Sequence, residues 1–271
     1  MKALILAGGK SSRMGQDKAS LKVQGVSLLD RLVEQLRPIT NEIFLSVAHG
    51  DNSERSLPTL PDLEPSPGPL GGLQAAFAYD ANCQWFIVGC DLPMLTSADF
   101  ELLVEHQNAD TAAACFLNPI DDQTEPLCAL YSPSAAPALQ EAISQNRRCA
   151  RRFIASLETV DLYPTTSQSL LNLNRPEMLT ELSHLQEHGV QEKEITVEYF
   201  AKLSQEAETE SEEYRTSAAT LAGLWEEVRL RHQFSLELPH VKPALDNEFA
   251  DWSIPLATGQ TIAFMPPFAG G

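Results

Sequence analysis

LAGGKSSRMGQDK, Leu6–Lys18, is the stretch on which the fold of this chain turns. It follows MKALILA (Met1–Ala7), a short apolar run ending at glycines, which predicts a buried strand. Gly8 and Gly9 have no Cβ, so their backbone N–H groups can approach a phosphate closely, and Arg13 and Lys18 bring charge suited to a polyphosphate. The loop is not a Walker A sequence, because Gly15 is followed by Gln16, and it lacks the G-x-G-x-x-G of dinucleotide-binding folds. An ordinary polar strand-to-helix turn is the competing reading. Cations gathered on one loop of a net-negative chain favour anion binding.

Outward from this loop, strand-like and helix-like patterns alternate. SLLDRLVEQL (Ser27–Leu36) sets Leu28, Leu29, Leu32, Val33 and Leu36 on one helical face behind a Ser cap, and Pro38 stops it. EIFLSVA (Glu42–Ala48) predicts a second strand, and the Pro-rich run from Pro58 to Pro69 predicts irregular structure. GLQAAFAY (Gly72–Tyr79) reads as helix. WFIVGCD (Trp85–Asp91) reads as a third strand that ends on an acid, with a helix after it capped by Ser97 or Asp99 and running to His106. TAAACFL (Thr111–Leu117) and LCALYS (Leu127–Ser132) are further strand candidates. The pattern predicts an α/β domain with a mostly parallel sheet. LLNLNRPEMLTELSHLQEHG (Leu170–Gly189) is expected to close it, giving domains 1–190 and 191–271.

The second stretch differs. EITVEYFAKL (Glu194–Leu203) alternates as a half-buried strand, EAETESEEYR (Glu206–Arg215) reads as a solvated acidic turn, and Thr220 caps a helix carrying Leu221, Leu224, Trp225 and Val228. TIAFMPPFAGG (Thr261–Gly271) predicts a late strand, so a small α+β sandwich is expected.

Composition narrows the function. The 271 residues are 43% apolar, enough for sizeable cores, and carry 19 Lys+Arg against 37 Asp+Glu, a net charge of -18. That argues against a nucleic-acid partner or an anionic lipid surface. No apolar run reaches the ~18 residues of a membrane span, and the N-terminus does not read as a signal peptide. Five Cys, none as C-x-x-C, predict free and mostly buried thiols in a reducing cytoplasm. His184, His188, His232 and His240 receive no role.

Asp91, in Cys-Asp-Leu-Pro at a strand end, is the metal candidate: one carboxylate can hold Mg²⁺ while the ion keeps waters and phosphate oxygens. A turn former before Pro93 is the alternative. If the glycine loop leaves a neighbouring strand, both face the crevice where open α/β sheets bind ligands. Asn172 and Asn174 are equally readable as metal-side groups or as turn caps before Pro176. Arg147, Arg148, Arg151 and Arg152 read first as a solvated helix face and second as a phosphate-greeting cluster.

The string LAGGKSSRMGQDK resembles the signature loop of the molybdenum cofactor guanylyltransferase family, within the nucleotide-diphospho-sugar transferase fold. PDLEPSPGPLGGL (Pro61–Leu73), GCDLPML (Gly89–Leu95), EPLCALY (Glu125–Tyr131) and LNLNRPEML (Leu171–Leu179) are similar to further motifs of that family, in the same order. The resemblance covers about the first 180 residues. It implies that Leu6, Ala7, Gly8 and Gly9 hold the nucleotide, that Lys18 contacts its phosphates, and that Asp62 contributes to the nucleotide site. Where the family often has Asn at the end of the second strand, this sequence has Ser46. The implied reaction is transfer of GMP from GTP to Mo-molybdopterin with release of pyrophosphate, Mg²⁺ being held by Asp91 and charge neutralised by Arg13 and Lys18. A cytidylyl- or sugar-nucleotidyltransferase of the same fold, or a non-enzymatic scaffold, are the rival readings.

Residues 194–271 resemble the sulfur-carrier (small) subunit of molybdopterin synthase, a ubiquitin-like β-grasp protein, through EITVEYFAKL and PLATGQTIAFMPPFAGG (Pro255–Gly271). That resemblance implies a terminal Gly271 activated by an adenylating enzyme, converted to a thiocarboxylate and inserted into the synthase large subunit. Phe264, Met265 and Phe268 are the implied docking anchors, with core packing the stronger reading for Phe264.

Overall fold

The first apolar run forms strand β1 (Lys2–Leu6), in which Ala3, Leu4 and Ile5 have no solvent exposure. The computed structural model describes residues 1–7, 21–51, 55–63, 66 and 68–266. Gly8, Gly9, Arg13, Lys18, Phe268 and Gly271 lie outside the described residues. The chain divides into two compact units, Met1–Thr165 with Ser169–Asn172, and Thr166–Gln168 with Leu173–Gly271.

In the first unit, β2 (Lys22–Val23) and β3 (Val26–Ser27) make a small hairpin. Then come α1 (Leu28–Leu36), β4 (Ile43–Val47), β5 (Thr59–Pro61), α2 (Leu70–Tyr79), β6 (Trp85–Gly89) and α3 (Ser97–His106). After these follow β7 (Ala113–Leu117), β8 (Thr124–Tyr131), α4 (Ala136–Ser144), α5 (Ala150–Ile154) and β9 (Thr159–Leu162). The seven-stranded sheet has the order β5-β4-β1-β6-β8-β7-β9. Strand β8 is antiparallel to both neighbours and every other pairing is parallel.

Successive side chains of each strand feed opposite cores. Ala3 and Ile5 pack with Leu32 and Leu36 of α1 and Phe100 and Leu103 of α3. Leu4 packs with Leu70 and Leu73 of α2, Leu139 of α4 and Phe153 of α5. Each such Leu contributes about 1.5–3 kcal/mol by leaving water. Helix α1 begins where Ser27 Oγ accepts from Asp30 N at 3.0 Å. The cap of α3 is Thr96, not Ser97 or Asp99; Asp99 is instead the third residue of a capping box, its carboxylate accepting from Thr96 N at 2.9 Å. The Pro-rich run is not wholly irregular: it holds β5, whose Pro61 is tolerated because the strand is at the sheet edge.

The second unit holds α6 (Glu177–His188), β10 (Lys193–Tyr199), α7 (Lys202–Ala207), β11 (Ser211–Thr216), α8 (Leu221–Arg231), β12 (Lys242–Leu245), β13 (Glu248–Phe249) and β14 (Thr261–Met265). Its sheet order is β11-β10-β14-β12-β13, with β10 and β14 parallel at the centre and the other pairings antiparallel. Helix α8 lays Leu224, Trp225 and Val228 among the buried residues, and Trp225 meets Phe264 of β14 edge-on at 5.0 Å. This is a ubiquitin-like β-grasp domain.

Two sequence expectations change here. The acidic run is not a turn: it runs from the end of α7 into β11, where Tyr214 and Thr216 are buried while Glu213 and Arg215 are exposed. The inward Glu212 masks the alternation, and it is held by Tyr199 Oη at 2.7 Å and His232 Nε2 at 2.6 Å. Helix α6, expected to close the first domain, packs instead against α8. Its Glu181 carboxylate is buried and accepts from Ala219 N, Thr220 N and Thr220 Oγ1 at 2.8, 2.7 and 2.7 Å, which satisfies the open amides at the start of α8. Gly223 leaves the room that this carboxyl fills.

Candidate nucleotide site at the strand ends

Strand β1 lies between β4 and β6, and the chain runs from it first to one side of the sheet and later to the other. A crevice opens outside the carboxyl ends of parallel strands at such a reversal. Leu6 is in register with Ser46 of β4 and Gly89 of β6, and Cys90 N donates to Leu6 O at 3.2 Å. The half-buried Ala7 leaves β1 at this point. Asp62 follows β5, its N–H donating to Val47 O at 2.9 Å. The Ser46 hydroxyl donates to Asp62 Oδ1 at 3.1 Å, and the Ser66 hydroxyl lies 3.4 Å from Oδ2. Leu6, Ala7, Ser46, Asp62 and Asp91, distant in sequence, therefore meet at one edge of the sheet.

Asp91 is half-buried and folds back over the end of β6. A Cβ on Gly89 would stand 2.7 Å from Asp91 Oδ1, so the bare glycine makes the space for the carboxylate. Behind it, Asp99 is fully buried and accepts at Oδ1 from Thr165 N and Thr165 Oγ1, both at 2.8 Å, with Ser169 Oγ at 3.3 Å. Leu170 then packs in one core with Cys90, Leu92 and Leu95. These contacts tie the segment leading to Asn172 to the Asp91 loop. The Asn172 Oδ1 is buried and takes no hydrogen bond among the described residues. Asn174 is exposed and belongs to the second unit.

Sequence reasoning gave no role to Glu125 of β8. Pro126 has no N–H to give the ladder, and the register of β8 against β7 shifts between Cys115 and Phe116. The Glu125 carboxylate accepts from Leu127 N at 3.0 Å across this irregularity. Burial pushes its carboxyl above the usual range; the Leu127 N–H and Arg151 pull it down, and Asp91 pushes it up further. The signal was present in the Glu-Pro-Leu order, but only the sheet register shows what lies opposite it.

Arg147, Arg148, Arg151 and Arg152 are all exposed, with Arg148 Nε donating to Asn146 Oδ1 at 2.7 Å. All five cysteines are free, with Cys90, Cys115 and Cys128 buried. Among the described residues no three His, Cys, Asp or Glu side chains converge as a metal cage, and no helix is long and apolar enough to cross a membrane. In the second unit, Phe264 is fully buried between Trp225 and Trp252, so it is a core residue, while Met265 is half-buried at the end of β14.

Comparison with known proteins agrees with this geometry. Residues 3–160 match the model of the MobA-like NTP transferase domain, and residues 197–271 match that of the ThiS family. A probable molybdenum cofactor guanylyltransferase of Carboxydothermus hydrogenoformans is 32% identical, over 65% of this chain and 83% of that protein. A molybdenum cofactor biosynthesis bifunctional protein of Synechocystis is 30% identical over 64% of this chain; the match spans about half, 51%, of that relative's length. The crystal structure of molybdopterin-guanine dinucleotide biosynthesis protein A from Archaeoglobus fulgidus shares the fold, with a TM-score of 0.59 at 24% identity, covering 69% of this chain and 99% of that one. The strand-end site and these matches together identify the chain as a member of the MobA-like NTP transferase family that carries a ThiS-family domain after its transferase domain.

Proposed function

We propose that the transferase domain transfers GMP from GTP to Mo-molybdopterin, and that the ThiS-family domain after it is a sulfur carrier for molybdopterin synthase. The observation that carries the first part is the meeting of Leu6, Ala7, Ser46, Asp62 and Asp91 outside the ends of parallel strands, where the chain continues into LAGGKSSRMGQDK. Leu6 and Ala7 line the nucleoside, and the Ser46–Asp62 pair offers it a fixed acceptor edge. The amides of Gly8 and Gly9 and the cations Arg13 and Lys18 cradle the triphosphate. A terminal phosphate oxygen of the molybdopterin attacks the α-phosphorus, the bond to the bridging β-phosphate oxygen breaks, and pyrophosphate leaves. Such a transfer rests on positioning and charge neutralisation rather than on a covalent enzyme intermediate.

A magnesium ion suits the donors present. The half-buried Asp91 carboxylate and the buried, unpartnered Oδ1 of Asn172 are hard oxygens, and Mg²⁺ needs only one or two protein carboxylates beside phosphate and water. When bound, the ion would neutralise charge on the triphosphate and on the departing pyrophosphate. Asp91 and Asn172 would hold it; Asp99 keeps both segments in place.

In the carrier, the resemblance and the family match support Gly271 as the activated end, adenylylated by a partner enzyme and then carried to the synthase large subunit, in the cytoplasm. Thermal shifts against GTP, CTP, ATP and UTP with Mg²⁺ test the first part: GTP should give the largest stabilisation by mass action. A larger shift with CTP would replace GMP transfer by CMP transfer, and no pyrophosphate release from any nucleotide with Mo-molybdopterin would leave a scaffold. Adding residues after Gly271 should abolish thiocarboxylate formation, read by intact mass, and leave pyrophosphate release unchanged.

A further inference from the structure

Ser46 is the one polar side chain of β4, a strand whose five residues are all buried. A buried hydroxyl costs free energy unless it is bonded, and this one is met by Asp62 Oδ1 at 3.1 Å, sixteen residues on. Asp62 is tied at its backbone as well, its N–H donating to Val47 O at 2.9 Å. The other carboxylate oxygen ends a relay: Gly68 N donates to Ser66 Oγ at 3.3 Å, and the Ser66 hydroxyl donates to Asp62 Oδ2 at 3.4 Å. Gly68 turns through a φ of +77° in this loop. Gly71, in the first turn of α2, packs so closely that a Cβ there would stand 3.0 Å from Ser66 Oγ and 3.4 Å from Asp62 Oδ2. One carboxylate is thus held from β4, from the loop after β5 and from the start of α2. Among the described residues each of its oxygens accepts one hydroxyl, and a carboxylate has about four acceptor positions, so one position on each oxygen is left over.

We propose that Ser46 and Ser66 are positioning residues, which aim the two oxygens of Asp62 at the donor edge of a guanine base. This deepens the nucleotidyl-transfer reading of the strand-end site and rests on it. Guanine carries a ring N–H beside an exocyclic amino group, two donors next to each other that a carboxylate can accept in parallel. Adenine and cytosine place a ring acceptor beside their amino group, and uracil sets its ring N–H between two carbonyls, so each would turn a lone pair on a carboxylate oxygen. A site built to accept two donors rejects a ligand that lacks one, because an acceptor is left unpaired. That selection needs both oxygens fixed, and Ser46 and Ser66 fix one each.

The test compares thermal shifts of the full chain, with Mg²⁺, for GTP and for inosine triphosphate, which keeps the ring N–H and lacks the amino group. The parent should favour GTP by about tenfold in apparent affinity, as one hydrogen bond to a charged acceptor warrants. Asp62→Asn should erase that preference, since its amide can turn a donor toward the base. Ser46→Ala should narrow the preference to about threefold by weakening GTP more than inosine triphosphate, and Ser46→Thr, which keeps the hydroxyl, should restore it. Ser66→Ala removes the longer contact and should narrow it less. Melting of the nucleotide-free variants verifies folding, and Ser66→Ala, outside the sheet, carries the test if Ser46→Ala does not fold. Equal weakening toward both nucleotides in Ser46→Ala, or a parental preference in both serine variants, would overturn the positioning role. A parental preference in Asp62→Asn would overturn recognition of the base by Asp62, and a parent that no nucleotide stabilises would overturn the reading beneath it.

Discussion

Asp91 and Glu125 stand at the mouth of the seven-stranded sheet, whereas Glu181 and Glu227 are sealed into the second unit around α8. Glu181 has its oxygens filled by two backbone amides and a hydroxyl. Glu227 accepts from Gln168 Nε2 at 2.9 Å and from the Thr216 hydroxyl. The mouth acids, by contrast, sit where strands end and a glycine or a proline breaks the pattern. The difference teaches how to sort carboxylates in an acidic chain: a sealed acid whose acceptors are met by protein holds the fold, and an acid at the carboxyl ends of parallel strands stands where such sheets bind ligands.

The comparison breaks or sharpens at four points. Asp91→Ala should lower pyrophosphate release about 10³-fold while leaving the thermal midpoint unchanged, measured by a coupled phosphate assay beside calorimetry. A large loss of stability instead would move Asp91 into the sealed class. Glu181→Ala should do the reverse. It strips acceptors from two amides at the start of α8 and should cost on the order of 3 kcal/mol of second-unit stability in urea, with transferase rate unchanged.

Glu227 gives a pH signature. Burial pushes its carboxyl up to about 7, against the bonds from Thr216 and Gln168 and the charge of Lys193, with Glu181 adding to the rise. The folded state therefore keeps a proton that the unfolded chain releases near its ordinary value of 4.5. Stability from this group is complete below that value and is lost as pH rises through about 7, an effect of about 3 kcal/mol. Urea midpoints between those limits should fall with rising pH, and Glu227→Gln should flatten the slope. The smallest effect is Gly89→Ala, whose Cβ would press on Asp91 Oδ1 from 2.7 Å. Displacing that carboxylate should cost roughly tenfold in rate, with cation affinity falling in step.

Much of the first unit was legible from residues alone. β1, β4 and β6 are continuous apolar runs because both sheet faces are covered, and the end of each run fell near Leu6, Ser46 or Asp91. The Ser46–Asp62 hydrogen bond was not legible, because sixteen residues separate its partners and only strand pairing brings them together. Glu125 was missed for the same reason: the irregularity it bridges shows only in the register of β8 against β7. β11 hid behind glutamates, one of which, Glu212, turns inward to Tyr199 and His232. Glu181 drew no reading from the sequence, since a helical glutamate is normally solvated and nothing local announces the amides of Ala219 and Thr220 that it meets.

That last contact reaches beyond stability. The match to the carrier family starts at residue 197, yet the carboxylate that meets the two amides leading into α8 comes from residue 181. Anyone excising the carrier at its family boundary would leave those amides without their acceptor, and starting the fragment at Leu173 would keep it. The stretch between the matched regions is thus no idle tether: it has been absorbed into the architecture of the protein that follows it.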